Sequence, residues 1–538
     1  MSDRDRSFWA WGYEDELLGD SEREDLAAFV EEEFDFPERP RLDYPELSNV
    51  TLPESRLDVP DELADFCAAD KETRVRHTYG RSWVDRVRGF RENFDSAPDL
   101  VTRPEDEDEL RAVLEWASDA GAAVVPVGGG TSVVGGVEGD VDGDFAGVVS
   151  VNLREFDELL EVDETSRSAK IQAGKLGPDI NDELADYGLN LRHYPQSYRF
   201  STLGGWLATH AGGHYATNYT HIDDFVENVR MVAPDGEIET RRLPSSGAGP
   251  DPNELVLGSE GILGIITEAW MNVVPRPPYS ARATMHFDSF DEVVTAARRV
   301  VQSGLTPANC RVLDKNHAKL NRLTADADTH LLLLGFEAND ALPEEELDRA
   351  IALAEDEGGR CPAGAFYVDE TTGEDDRGAS EPERRWRDEF FRDPYRTDAF
   401  ISLGVMRRTF ETAVTWDQFP SLHTDVTEAA MDAMERVCGT GFLATRFTHV
   451  YPEGPAPYYT MLAPVDPDRA IEQAEEIKQA AVDTVIDHGG TTTHHHAVGR
   501  AHKPWYHRET PEDYRDALRA MKRSLDPEGV MNPGVLVD

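Results

Sequence analysis

Lysine is scarce in this chain: only eight of its 538 residues are Lys, and the rest of its 53 basic positions are arginine. Against them stand 105 acidic residues, for a formal net charge of −52. So large an excess of one sign argues against nucleic acid as a partner, and against an anionic membrane surface unless salt screens the repulsion. The acids are spread along the whole chain rather than gathered in a tail. That is the pattern of a cytoplasmic protein adapted to molar salt, where screening over a few ångströms removes self-repulsion and carboxylates keep the surface hydrated. Cysteine is scarce too. Cys67, Cys310, Cys361 and Cys438 are far apart and form no C-x-x-C, so buried free thiols are expected rather than a disulfide or a thiolate metal site. No apolar run approaches 18 residues, and the first 40 residues are acidic and aromatic, so neither a transmembrane segment nor a secretory leader is expected.

What the chain does have is length and clustered glycine. At 538 residues it exceeds what one core supports, so two or more domains are expected. The apolar Ala122 to Val125 runs into Pro126, Val127, Gly128, Gly129, Gly130, Thr131 and Ser132. Three glycines after a buried run place backbone where a side chain would block the approach. Consecutive N–H groups in such a loop hold phosphate oxygens, and Thr131 or Ser132 adds a hydroxyl donor, so a pyrophosphate is the natural ligand. Neither common nucleotide loop fits, because no Lys follows as in a P-loop and the G-x-G-x-x-G spacing that opens a helix is missing. Taken alone, the triplet reads equally well as a tight turn between strands. It is not alone: Gly204–Gly205 and Gly212–Gly213 fall in the Gly, Ser, Thr and His-rich stretch from Pro195 to Tyr219, and GSEGILGIITE runs from Gly258 to Glu268.

Residues 1–75 are acidic, dotted with proline and weakly periodic, with the aromatics Phe8, Trp9, Trp11 and Tyr13 close together. This segment is expected to wrap over a folded body rather than form a domain. Thr102 and Glu105 suggest a capping box, followed by Leu110, Val113, Leu114 and Ala117 at helical spacing. Strands are expected at Val148–Val151, Ala169–Ala173 and Val229–Val232, and a helix from about Pro178 to Tyr187. The prolines 275, 277 and 278 mark a boundary. Beyond it lies a second region to about residue 490, with helices near 291–303, 344–357 and 467–488, strands near 331–336 and 458–462, and a polar loop at 369–385. The last helix empties into GGTTTHHHAVG.

PVGGGTS, STLGGWLATHAGG, GSEGILGIITE and the C-terminal LDPEGVMNPG occur in the order and spacing of the vanillyl-alcohol oxidase-type flavoproteins. With HTYGRS at 77–82, CRVLD at 310–314, TFETAVTWD at 409–417, RFTHVY at 446–451 and HHHAVG at 494–499, the chain resembles the alkylglycerone-phosphate synthase family within that group. The resemblance implies an α+β protein: a two-lobed FAD-binding domain over 76–276 (lobes 76–150 and 151–276), a cap with an antiparallel sheet over 277–490, and a return to the FAD domain over 491–538. It implies that Pro126 to Ser132 hold the FAD pyrophosphate, that Pro195, Ser201, Thr202, Gly205 and Thr209 line the ribityl chain and ring, and that Glu260, Gly261 and Ile266 close the adenine side. No histidine lies in the glycine loop, so non-covalent FAD is expected. The family exchanges the acyl chain of acyl-dihydroxyacetone phosphate for a fatty alcohol, the flavin holding the substrate without net redox. That reaction needs a cation for phosphate, a proton-transfer group and an apolar tunnel.

By motif match, Arg311 is the active-site arginine and Arg446 a second cation. Tyr458 is the proton-transfer tyrosine, its pKa lowered by neighbouring cations, while His494, His495 and His496 orient or deprotonate substrate. Three adjacent residues of a strand cannot share one face, so at most two of the histidines would reach the flavin. No metal is assigned, although His449 beside the triplet leaves one open. The sequence departs from the family pattern at PYRTD, where Arg396 falls one place early as a phosphate contact and Thr397 takes the slot, and at Ala456, where the family has cysteine. A rival reading is an FAD-linked dehydrogenase of 2-hydroxy acids such as D-lactate or glycolate. Its H-x-G-D-G-N-x-H and G-E-H-G-I-G motifs keep matching residues only at His449 and His496. A flavin-free scaffold would require decayed glycine motifs, and these are intact. A small-molecule substrate is expected in either enzyme reading, and a homodimer is an open expectation.

Overall fold

The computed structural model describes residues 6–37, 39–215, 221–323, 328–372 and 381–537, with the side chains of 372 and 381–391 left aside. The first sheet comprises β1 (Cys67–Ala68), β2 (Leu100–Thr102), β3 (Ala123–Val127) and β4 (Val148–Asn152), in the order β1-β2-β4-β3. Strands β2, β4 and β3 run parallel, so helical crossovers must cover them. One is the helix Glu107–Ala120, whose Leu110, Val113, Leu114 and Ala117 pack on β3 and β4 as the spacing predicts. Its cap differs from expectation: Asp106 accepts from the Glu109 amide at 2.9 Å, while Thr102 ends β2. Pro104 cannot extend a helix backward, and an aspartate one residue before the first turn is the stronger acceptor.

The second sheet is antiparallel, ordered β5-β6-β10-β8-β9. It contains β5 (Leu159–Asp163), β6 (Ser168–Gln172), β8 (Val226–Ala233), β9 (Gly236–Glu239) and β10 (Ile265–Asn272), while β7 (Leu189–Asn190) pairs with β11 (Val274–Pro275). The third sheet is larger and antiparallel throughout, ordered β15-β12-β14-β13-β17-β18-β16. Its strands are β12 (Tyr279–Phe287), β13 (Asn309–Leu313), β14 (His330–Ala338), β15 (Phe366–Asp369), β16 (Val405–Glu411), β17 (Phe442–Val450) and β18 (Pro455–Pro464). Helices 290–302, 344–355, 419–438 and 470–487 bury their apolar stripes against one face of it. The other face is turned toward the glycine loops. Of the polar stretch 369–385, residues 373–380 lie outside the described residues. From Glu381 the chain is a helix to Ser402 rather than a loop.

The N-terminal segment is bound at several places. Trp9 packs on Tyr44 and Phe90, and Tyr13 sits edge-on to Phe200. Helix Asp20–Phe34 lays Leu26, Val30 and Phe34 on Phe400, Leu403 and Leu462 of the third sheet and its helix. All four cysteines are free, but only Cys310 is buried. None of the described helices is long and apolar enough to cross a membrane.

Candidate active site

The side chains that face the glycine loops follow from strand register. Directly paired residues of antiparallel strands share a face. Glu411 pairs with Tyr458, Tyr458 with Arg446, and Arg446 with Leu313 two residues beyond Arg311. One face therefore presents Arg311, Arg446, Tyr458, Glu411 and, two residues before Thr409, Arg407. His449 would alternate to the opposite face, but a bulge between Phe447 and His449 sets it against Ala456 and turns it back.

These groups and the glycine loops enclose a cavity of about 320 Å³. Every residue from Pro126 to Ser132 lines it; Pro195, Ser201, Thr202, Gly205 and Thr209 line its side, and Glu260, Gly261 and Ile266 also contribute. The residues fit FAD on three counts. Among the described residues, no backbone N–H from Gly128 to Ser132 reaches a protein acceptor, which leaves a row of donors for phosphate oxygens. A Cβ on Gly129 would overlap the Phe200 carbonyl, and one on Gly128 the Thr202 hydroxyl, so the loops close only as glycine. Gly130 and Gly261 hold positive φ, 60° and 78°. Glu260 has a further job: its carboxylate accepts from the Val498 and Gly499 amides at 2.9 and 2.7 Å, tying the glycine-rich stretch to the histidine segment.

The histidine triplet is a turn, not a strand, so the alternation argument does not apply. Buried Glu411 nucleates it. Its carboxylate accepts from the His494 amide at 2.8 Å, from the His495 and His496 amides at 3.1 Å, and from the Thr493 hydroxyl at 2.7 Å. Burial pushes the Glu411 carboxyl up, but the imidazoles of His495, His496 and His494, His495 foremost, hold it well below its ordinary pKa. The turn aims His495 and His496 into the cavity and leaves His494 behind, where its Nε2 meets the Tyr451 hydroxyl at 2.7 Å. Burial lowers His496 to about 3, so it is a neutral base or donor. Burial also raises the Tyr458 phenol above its ordinary value. The Arg446 guanidinium, 4.2 Å from the ring centre, opposes that shift without reversing it, contrary to the lowered pKa expected from the sequence.

Arg311 donates to Asn309 Oδ1 at 3.0 Å and to the His214 carbonyl at 3.1 Å, and burial lowers it to about 9. Arg396 is half-buried and does not line the cavity, whereas Thr397 does. Thr397 instead accepts from Arg407 Nη1 at 2.8 Å, and Asp393 pairs with the same guanidinium. Sequence reasoning missed Glu411, Arg407, Arg408 and Lys478. The signals were there: Glu411 lies inside a motif already singled out, two arginines in a row on an apolar strand must point to opposite faces, and Lys478 occupies a core position between Ala474 and Ala481. His449, His494 and His495 each bring a ring nitrogen within 4.8 Å of the others, a set that can hold a divalent metal. Among the described residues, neither ring nitrogen of buried His449 has a hydrogen-bond partner.

Comparison with known proteins agrees with this geometry. Residues 98–241 match the FAD binding domain and residues 276–536 the C-terminal domain of FAD linked oxidases. An alkyldihydroxyacetonephosphate synthase of Dictyostelium discoideum is 28% identical over 504 residues, 89% of this chain and 79% of the relative. That of Trypanosoma brucei brucei is 28% identical over 494 residues, 87% and 78%. A glycolate oxidase subunit of Bacillus subtilis is 24% identical over 457 residues, 82% and 89%. Among solved structures, an alkyldihydroxyacetonephosphate synthase superimposes with a TM-score of 0.80 at 24% identity, covering 98% of this chain and 97% of the other. A p-cresol methylhydroxylase superimposes at 0.66 with 13% identity, 88% and 94%. Both superpositions speak for the fold.

Proposed function

We propose that this chain, an FAD-binding enzyme that belongs to the FAD-linked oxidases and resembles the alkyldihydroxyacetonephosphate synthases, exchanges the acyl chain of an acyl-dihydroxyacetone phosphate for a fatty alcohol. The observation that carries the reading is the buried set Arg311, Arg407 and Arg446, placed with Tyr458 on one sheet face in a chain of net charge −52. Asp393 pairs with Arg407, and a phosphate dianion would balance positive charge that one carboxylate leaves on three buried guanidiniums. A phosphate dianion bound at Arg311 and Arg446 would set the ketone beneath Tyr458. Tyr458, kept protonated by burial, donates to the carbonyl oxygen; His495, its Nδ1 set against Glu411, accepts a proton from carbon or from the alcohol, and neutral His496 orients the substrate as a hydrogen-bond acceptor. Glu411 fixes the imidazoles without touching substrate. Bound FAD supplies an electron-accepting ring against the substrate carbon.

The same reading places the FAD-binding domain at 76–276 and the cap at 277–490, and places the enzyme, as a homodimer, in a cytoplasm of high salt, feeding ether-lipid synthesis. A second reading, oxidation of a 2-hydroxy acid with a metal at His449, His494 and His495, draws on the imidazole cluster. Anaerobic mixing of the yellow protein in high salt separates them. Loss of oxidised flavin absorbance with the acyl phosphate, reversed by fatty alcohol without an electron acceptor, supports exchange. Full bleaching by D-lactate or glycolate, restored only by an external acceptor, replaces it with the dehydrogenase.

A further inference from the structure

The cavity does not stop at the face that carries Tyr458. It continues past β16, the edge strand, where Arg408, Lys478 and His502 join its wall. Arg408 pairs with Met461 in register and so lies on the helix-covered side, away from Arg407. Lys478, on helix 470–487, is 4% exposed, and its Nζ lies 2.7 Å from His502 Nε2. His502 Nδ1 lies 3.0 Å from the Ala497 carbonyl, which can only accept, so Nδ1 holds the ring proton and Nε2 offers a lone pair to the lysine. One N–H of Lys478 is thus used. Among the described residues no carboxylate forms an ion pair with it. Arg408 donates Nη2 to Glu475 at 2.8 Å, while its buried Nη1 has no partner among the described residues. Burial lowers Lys478 to about 7; Arg408 is the strongest charge acting in the same direction, and Glu475 and Glu411 oppose it. Two cationic side chains, of which Arg408 meets a carboxylate through Nη2 and Lys478 forms no ion pair among the described residues, have donors to spare on the wall of a cavity.

The exchange reaction brings two anions into this cavity. Phosphate is one. The other is the leaving group: the acyloxy oxygen keeps the bonding pair and departs as a carboxylate, the alkoxy oxygen takes its place on the same carbon, and the proton of the alcohol is released. Arg311 and Arg446 face the first. We propose that Arg408 and Lys478 form a second anion subsite that receives the carboxylate head of the departing fatty acid. The assignment rests on the exchange reading, and it keeps the two anions on opposite sides of a strand, where they repel each other least.

Calorimetric binding of octanoate, octanol and dihydroxyacetone phosphate to the FAD-loaded protein tests it, with Lys478→Met and Lys478→Arg as variants. Octanoate affinity is expected to fall at least tenfold in Lys478→Met, with dihydroxyacetone phosphate within twofold of wild type and octanol unaffected. Between pH 6 and 9 wild-type octanoate affinity falls as the lysine loses its proton, with His502, His496, Arg408, Glu475 and Glu411 the other ionisable groups that act there. Lys478→Arg keeps the affinity and loses the pH fall. Equal octanoate binding in wild type and Lys478→Met overturns the subsite, as does a parallel loss of both ligands at unchanged FAD content. Failure of the exchange reading looks different: the wild type releases no carboxylate from the acyl phosphate in the presence of octanol, whatever octanoate does.

Discussion

Glu411 shows how one side chain can organise a site without touching the substrate. Its carboxylate collects three amides and a hydroxyl, all from residues 493–496. Glu411→Gln keeps one acceptor oxygen and offers N–H groups to donors, so it should cost about 2–4 kcal/mol in thermal unfolding and displace the imidazoles. Its folded pKa is depressed, so its stabilisation is present above the ordinary carboxylate value of 4.5 and is lost as pH falls below it. An acid titration of wild type and Glu411→Gln followed by circular dichroism should show the two drawing together as pH falls from 4.5 toward the depressed folded value. Tyr458→Phe removes one buried hydroxyl without a cavity. It should leave the flavin spectrum and melting temperature near wild type while lowering turnover on the order of 10²–10⁴-fold, read in single-turnover kinetics. At this scale the sequence was informative about residue type and poor about electrostatic balance. Tyr458, Arg311 and Arg446 were picked out by motif, but the outcome of burial against Arg446 depends on how completely the sheet is covered, which no local pattern records.

At the scale of elements, the glycine loop and the N-terminal helix differ in what they tolerate. Gly129→Ala places a methyl on the Phe200 carbonyl, and neither partner can move without opening the cradle. The purified variant should contain less than a tenth of wild-type FAD, measured from the ratio of visible to ultraviolet absorbance. Phe34 ends the helix Asp20–Phe34 with its ring 4.4 Å from that of Phe442. Phe34→Ala should cost about 3–4 kcal/mol, read from chemical denaturation, with FAD content unchanged. Long periodic helices such as 107–120 and 470–487 were legible because burial on one face writes a 3.6-residue pattern. The histidine turn was not, because it is held by a carboxylate more than eighty positions earlier in the chain. Nor was the bulge beside His449, which reverses the face that simple alternation assigns.

For the whole molecule, charge outweighs every other influence on how stability responds to solvent. With −52 on 538 residues, melting temperature should climb steeply as KCl rises from about 0.1 M to several molar, since the Debye length shortens from about 10 Å to about 3 Å by 1 M. A flat salt response in differential scanning calorimetry would contradict adaptation to brine. The fold class was legible from the ordered glycine and C-terminal motifs, whereas the packing of the first 75 residues across both halves was visible only as a cluster of aromatics in need of cover. One pairing carries a consequence for synthesis. The Val124 amide donates to the Val530 carbonyl, the Asn532 amide to the Val124 carbonyl, and the Asn532 side chain to the Glu260 and Gly136 carbonyls. The strand that leads into the flavin cradle therefore waits, unfinished, for residues about four hundred positions later in the chain. A ribosome still translating the cap carries a chain that cannot yet hold its cofactor, so colour appears only after Asn532 has emerged.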